Sequence, residues 1–579
     1  MLKGLRVEKY ACNQRILFFV MLSSLALLTG CDQSNNLSLS EQSLIYCSEG
    51  SPETFNPQLI TSGTTIDATS NQLYNRLLRF NGDDNHLEPS VAKSWHITKD
   101  GRKITLYLEN NIPFHTTDYF TPTRNLNADD ILFSFNRIID EDHPYHLISG
   151  GNYGYFQSIE FDKAVEDIEK INDYTVRFHL NHADSSFLAN LASDFSVILS
   201  KEYGDQLIKQ DALQNIDILP VGTGPFKFKE YRVGSMIRYY RNDNYWLGKS
   251  EIEQLVFDIS PRKTSRLTKL LANECDVIAY PIAHQIIDQH PDLILEDVTS
   301  LNIGYFGFNT TKPPFNNKLV RQAIALAVNK EAILKAVYHA EADVAHSIIP
   351  KSSWAYSDEI IAQEYNIIKA QQRLKDAGFE NGFTMDIWAM PVQRAYNPNA
   401  ITMAKLIQAD LLKINIKVNI IDGYEWNTFL KRLAAGEHET FLLGWSADHP
   451  DPDNLLTPIL SCAATYTGSN KALWCDDAYD QAINDARQTS DISERKAHYL
   501  KAMKIISQEQ PIIPIAHSKR YQARTNQIIG NVLMPFGGIS FREVSKVSAT
   551  AESTEIKAIN KKNNLQENTS LNDTDQGVN

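Results

Sequence analysis

Side chains able to do covalent or metal chemistry are sparse in this 579-residue sequence and poorly spaced for it. Neither a GxSxG nucleophile elbow nor an HExxH zinc helix occurs. His143 with His146, and His179 with His182, are i,i+3 pairs lacking a third ligand, which suits turn or surface histidines better than a metal. Val221-Gly222-Thr223-Gly224-Pro225-Phe226 is rich in glycine but lacks the GK[ST] of a phosphate loop. The run Asp448-His449-Pro450-Asp451-Pro452-Asp453 reads as a turn in which acids cap or accept locally. A peptidase would need a nucleophile or a metal constellation, and neither pattern is present.

The cysteines carry more information. Lys3, Arg6, Lys9 and Arg15 precede an apolar run from Ile16 to Leu28, the arrangement of a secretory signal. That run falls short of the roughly 20 residues of a membrane span. It ends Leu28-Thr29-Gly30-Cys31, which resembles the bacterial lipobox and implies diacylation of Cys31 after cleavage, with residues 1–30 as the lipoprotein signal peptide. Two or three acyl chains anchor stably where one does not. By resemblance to other Gram-negative lipoproteins, Asp32 directs retention at the inner membrane. Cys12 leaves with the signal, so Cys47, Cys275, Cys462 and Cys475 remain. An even number in an exported chain reads as two disulfides with three possible pairings. The simplest joins Cys462 to Cys475, a small loop worth about 3 kcal/mol, and leaves Cys47 for Cys275. Zinc is the competing reading, weakened by the lack of a CxxC pair or a nearby histidine.

Composition narrows the class. The formal charge is −14 for the whole chain and −17 once residues 1–30 are removed, which argues against a nucleic-acid partner. A 43% apolar fraction supplies a packed core, and the length suggests two to four domains. Ile104, Leu106 and Leu108 alternate as a strand, as do Val176, Phe178 and Leu180. Val320, Ile324, Ala327 and Val328 have helical spacing, and so do Met403, Leu406, Ile407 and Leu411. Ile416, Val418 and Ile420 then form another strand. Interleaved helices and short strands indicate an α/β protein with mixed sheets. From Val544 to Asn579 the chain turns polar and is expected to be a disordered tail.

Several stretches carry a resemblance in the right order. They are Ser94-Trp95 to Gly101 with Ile112-Pro113-Phe114-His115, Asn127-Ala128-Asp129-Asp130, Val221 to Phe226, Arg241-Asn242 with Tyr245-Trp246, Asn309 to Val320, and Gly444-Trp445 to Asp453. Together they resemble the bacterial family 5 extracellular solute-binding proteins of peptide ABC transporters, over about residues 44–543. Tyr46 to Glu53, Thr61 to Thr65, Met390 to Pro398 and Ser461 to Ala464 look like the dipeptide-binding branch. Trp354-Ala355-Tyr356 and Thr311 to Pro314 lean towards the Sap-type peptide transport branch.

The resemblance implies a two-lobed, three-domain periplasmic binding protein of the type II, peptide-binding cluster, with a hinge near residues 300 and 515. Domain I would comprise 44–75, 220–300 and 515–543, domain II 76–219 and domain III 301–514. The expected function is capture of short peptides, dipeptides in the first instance, for an ABC permease and its ATPase, in the periplasm of a Gram-negative bacterium. No enzymatic activity and no cofactor are implied. An extended dipeptide separates its ammonium and carboxylate by roughly 7 Å. By resemblance, Asp448 takes the ammonium and Arg394 the carboxylate, which its planar fork engages bidentately. Thr61 and the backbone of Gly444 and Trp445 supply main-chain contacts, while Trp426 and Trp445 wall side-chain pockets. His438 and His449 flank this strand and could meet haem, which some relatives carry. Capture of haem or of antimicrobial peptides in the same cleft is thus an alternative ligand reading. A lipid-anchored envelope scaffold or chaperone without transport is the rival of another class; an intact Asp448 and Arg394 favours transport.

Overall fold

The computed structural model describes residues 43–547 except 82–84, 362, 468 and 531. The signal segment, Cys31 and residues 548–579 of the expected tail lie outside the described residues. No helix among the described residues is long and apolar enough to cross a membrane.

The periodic segments form the elements their patterns predict. Lys103–Leu108 and Thr175–Leu180 are strands of a four-stranded antiparallel sheet, with Ile104, Leu106, Leu108, Val176, Phe178 and Leu180 buried on one face. Alternate residues point to opposite faces of a strand, so the apolar set packs inward together. Lys318–Ala327 and Ala400–Leu412 are helices that bury Val320, Ile324, Met403, Ile407 and Leu411. Each is opened by an asparagine, Asn317 or Asn399, whose side chain accepts from a first-turn N–H. Lys417–Ile421 follows as a strand.

A twelve-stranded mixed sheet dominates the chain. One part is built from Ser43–Ser48, from strands between residues 226 and 299, and from the second half of Ile512–Thr525. The other part is built from Asn302–Phe308, Ala342–Val344, Thr384–Ala389, Lys417–Ile421, Thr440–Ser446 and the first half of Ile512–Thr525. Leu293–Thr299 pairs with residues 519–525 of that long strand and Asn302–Phe308 with residues 512–516, both antiparallel. The chain therefore passes from one part to the other at 300–301 and again within a continuous strand. Position 515, expected near a hinge, lies where the ladder with Asn302–Phe308 shifts register, with Tyr305 facing Pro514 and Gly304 facing Ala516.

One sequence boundary shifts. Val544 is buried, Ser545–Lys546 pairs with Ile528–Ile529, and the Val547 N–H donates to Gln527, so residues 544–547 belong to the fold and not to the tail. Their short polar stretch carries no period, and only the partner strand reveals it.

Both disulfides form as the simplest pairing expects, Cys47–Cys275 and Cys462–Cys475. The first spans 228 residues and sits in a small core with Leu270, Ile278, Ile287 and Ala523. It ties the central strand Ser43–Ser48 to the turn before Val277–Ala279. Replacing Cys47 and Cys275 together by serine is expected to cost about 5 kcal/mol, because the loop they close is long, read as a lower midpoint in urea unfolding.

Candidate functional site

Thr61, Arg394, Trp426, Gly444, Trp445 and Asp448 all lie on the wall of one cavity of about 80 Å³. The cavity shares Tyr280, Arg394 and Ala395 with a recess of about 540 Å³, and Asp448, Gly537 and Gly538 with another of about 670 Å³. It is thus the narrow middle of a longer cleft, with Arg394 towards one mouth and Asp448 towards the other.

The strand Thr440–Ser446 supplies the floor. Along one edge it pairs with Asn302–Phe308 over its whole length. Along the other it pairs with Thr384–Ala389 only as far as Leu442, so among the described residues the main chain of 443–446 has no partner strand there. An extended peptide could add itself to that edge through main-chain hydrogen bonds. Gly444 is required locally: a Cβ at this position would run into the ring of Tyr396 and the carbonyl of Ile303. Gly444→Ala is expected to destabilise the fold by about 1–3 kcal/mol through overpacking, visible as a lower unfolding temperature.

Arg394 lies in the loop that leaves Thr384–Ala389 and is held by four groups. Its guanidinium stands 5.7 Å from the ring centre of Tyr280 and 5.5 Å from that of Trp426. Its Nη1 donates to the Glu49 carboxylate and, at 3.2 Å, to the Gln393 carbonyl. Burial opposes the Arg394 charge, but Glu49 together with Tyr280, Tyr396 and Asp67 outweighs it and leaves the pKa above the ordinary arginine value. Among the described residues Nη2 has no partner, and neither does the indole N–H of Trp426. Two buried donors on one wall therefore remain for an anion.

Asp448 follows the same strand. Asn454, in the helix Asp453–Leu460, accepts from the Asp448 N–H at 3.0 Å and from the Trp445 indole at 3.1 Å, so one side chain fixes both residues. The Asp448 Oδ2 has no protein partner among the described residues and is buried. Burial, and then the charge of Asp194, push the Asp448 carboxyl well above the usual carboxylate range. Asp194 itself is matched by Arg76 and by the Gly538 N–H at 2.6 Å. The other acids of the turn do the local work expected there: Asp451 pairs with Arg495 at 2.9 Å and accepts from the Asp453 N–H, while Asp453 accepts from the Thr457 hydroxyl at 2.7 Å.

The two histidines flanking the strand lie away from the cleft wall. His438 Nε2 bonds the Lys471 carbonyl at 2.8 Å, and its ring packs against Trp388 and Phe441. His449 Nε2 meets Asn190 Oδ1 and the Tyr155 hydroxyl, each at 3.1 Å. Burial holds both near pKa 4. His143 and His146 are likewise structural: His146 is buried against the Arg137 carbonyl. The sulfurs of Cys462 and Cys475, with Asp477 close by, are joined to each other.

Sequence reasoning did not find Glu49, Asp67, Tyr280 or Arg520. Asp67 and Arg520 share the cavity wall, and burial, then Glu49, raise the Asp67 carboxyl to about 7. Glu49 had one signal, its place in the Tyr46 to Glu53 motif; the others had none.

Comparison with known proteins agrees with this architecture. Residues 86–467 match the family described as bacterial extracellular solute-binding proteins, family 5. The chain is 43% identical over 510 residues to the dipeptide-binding protein of Escherichia coli (strain K12), covering 88% of this chain and 95% of that one. It is 40% identical over 530 residues to heme-binding protein A of Haemophilus influenzae, covering 90% and 96%. Among solved structures, the dipeptide binding protein from Pseudoalteromonas sp. SM9913 in complex with Met-Leu superposes with a TM-score of 0.86 at 46% identity, over 87% of this chain and all of that one. An α/β chain of mixed sheets, with an interrupted strand edge between a buried acid and a buried arginine, thus belongs to the bacterial family 5 extracellular solute-binding proteins, which are transport binding proteins and not enzymes.

Proposed function

We propose that this chain captures short peptides, dipeptides in the first instance, and delivers them to an inner-membrane ABC permease. The observation that carries this is the pairing, on one narrow cavity, of a buried carboxylate oxygen and a buried guanidinium nitrogen that have no protein partners among the described residues. A zwitterion with an unsubstituted ammonium and carboxylate supplies both partners at once. Asp448 receives the ammonium, and Arg394 with the Trp426 N–H receives the carboxylate. The free edge at residues 443–446 holds the main chain between them, leaving side chains to the two wider recesses. Recognition of main chain and termini, with roomy space for side chains, makes a binder tolerant of sequence but strict about length.

Three domains, 44–75 with 220–300 and 515–543, then 76–219, then 301–514, would move about the crossings near 300 and 515. Closure on a ligand follows from contacts that only the closed form makes. The separate four-stranded sheet within 76–219 and the two parts of the large sheet support this division. Cys31 would carry the lipid that keeps the protein at the inner membrane, within diffusion range of its permease.

Calorimetry with a free dipeptide, its C-terminal amide, a tetrapeptide and haem tests the ligand assignment. The free dipeptide is expected to bind most tightly, the amide and the tetrapeptide far more weakly. Tight haem binding without a dipeptide response would overturn the peptide reading. The anchor is tested separately: radiolabelled palmitate is expected to label the wild-type chain and not Cys31→Ser.

A further inference from the structure

Glu49 has no role in the recognition scheme, yet its carboxylate is bonded to Arg394. It follows directly on the strand Ser43–Ser48, whose Cys47 is cross-linked to Cys275, while Arg394 arrives 345 residues later on a different strand's loop. Both side chains are almost wholly buried, with 2% and 5% of the Glu49 and Arg394 side chains exposed. A buried ion pair of this kind is a poor way to gain stability, because desolvating two charges consumes most of what their attraction returns. Its half-made state is more informative. Glu49 engages Nη1 through Oε1, its Oε2 has no partner among the described residues, and Nη2 of Arg394 is also unmatched. The guanidinium is therefore neutralised on one side and open on the other.

We infer that Glu49 is a resident competitor for Arg394, a side-chain carboxylate that shares the guanidinium and so limits how tightly a carboxylate-bearing ligand is held. This rests on Arg394 being the ligand's carboxylate partner. A ligand carboxylate on Nη2 would stand across one guanidinium from Glu49, and two anions repel strongly where water is excluded. The neighbourhood adds little relief. Asp67 is a third acid near the pair; of the other cations, Arg520 acts on Asp67 and donates to the carbonyls of Met534 and Gly537, and Arg266 spends its donors on the carbonyls of Ala279, Ser260 and Pro261 and on Gln393. The ligand's carboxylate thus meets an arginine already partly neutralised. For a transport protein the consequence is functional: a competitor built into the cleft keeps the dissociation rate high enough for hand-over.

The isosteric Glu49→Gln keeps a hydrogen-bond acceptor for Nη1 and removes only the charge. Calorimetry and stopped-flow dissociation should be run on wild type and E49Q with a free dipeptide and with its C-terminal amide. The expected result is at least tenfold tighter binding of the free dipeptide by E49Q, expressed as slower dissociation, with less than a twofold change for the amide. Unchanged or weaker binding of the free dipeptide by E49Q would overturn the inference. Equal affinity of wild type for dipeptide and amide would instead defeat the Arg394 reading, and the inference with it, so the two failures are read on different proteins. Should E49Q not fold, Glu49→Asp, which withdraws the charge by one methylene, is expected to tighten free-dipeptide binding to a smaller degree; a loss there counts against the inference.

Discussion

Arg394→Ala is expected to bind a free dipeptide roughly a thousandfold more weakly than wild type, a loss of about 4 kcal/mol, because the ligand carboxylate would be desolvated with no cation beside it. The C-terminal amide should bind the variant and the wild type almost equally, since it brings no charge to strand. The same substitution leaves Glu49 buried without its counter-ion, and removing one partner of a buried pair costs about 3–5 kcal/mol. Arg394→Ala should accordingly unfold at lower temperature. The double variant Glu49→Ala, Arg394→Ala separates the two effects: stability returns towards wild type while dipeptide binding stays lost. Arg394→Lys is expected to recover little affinity. Lysine offers a point charge in place of a fork and does not stack in the same way between Tyr280 and Trp426. If Arg394→Ala weakened the amide as much as the free dipeptide, Arg394 would be supporting the cleft and not reading the carboxylate.

Arg394 and Asp448 are legible in the sequence through the matching of whole motifs, not through the residues themselves. An arginine after Met390-Pro391-Val392-Gln393 and an acid in a proline-rich turn look ordinary one at a time. Elements set by short-range periodicity are readable from spacing alone. Ile104, Leu106 and Leu108 repeat every second residue, and Met403, Ile407 and Leu411 every fourth, so burial on one face follows from geometry within a few residues. The cysteine pairing is readable because an even count allows few solutions. Tyr280 and Arg520 leave no such trace, and Glu49 leaves only its place in the Tyr46 to Glu53 motif. Their meaning comes from meeting Arg394, or the cavity it lines, across more than a hundred residues, and nothing in the neighbouring sequence encodes such an encounter. The same holds for the strand Ile512–Thr525. Nothing in its own residues says that its two halves join different partners. The pair Ser545–Lys546 is two residues long, below any period, and only its bonds to Ile528–Ile529 distinguish it from tail.

Asp448 should make peptide binding depend on pH with a definite sign. Burial, followed by the Asp194 charge, raises its pKa well above the ordinary value, so without a peptide it holds a proton at pH values where most carboxylates have lost theirs. A ligand ammonium stabilises the charged form and lowers that pKa, and binding therefore releases the proton. By linkage the affinity rises with pH, by up to about tenfold per unit, until the carboxyl is ionised in the free protein as well. Asp448→Asn should abolish most of this slope and weaken dipeptide binding roughly a thousandfold. Asp67, held up to about 7 first by burial and then by Glu49, lies on the same wall and sets any slope that survives in the variant. The sign for stability is the opposite of that for binding. Because the folded-state pKa of Asp448 is raised, the native protein holds more protons than the unfolded chain above the ordinary carboxylate range, and stability falls as pH climbs towards the raised value. Asparagine has no charge to desolvate, so Asp448→Asn should unfold at a higher temperature than wild type at pH 8 and show little difference at pH 4. An aspartate that existed to hold the fold together would give the reverse, a variant less stable at every pH. Gain of stability with loss of binding is the pattern of a charge kept buried for a ligand, and thermal unfolding at the two pH values, set beside calorimetry at both, distinguishes it from a structural acid.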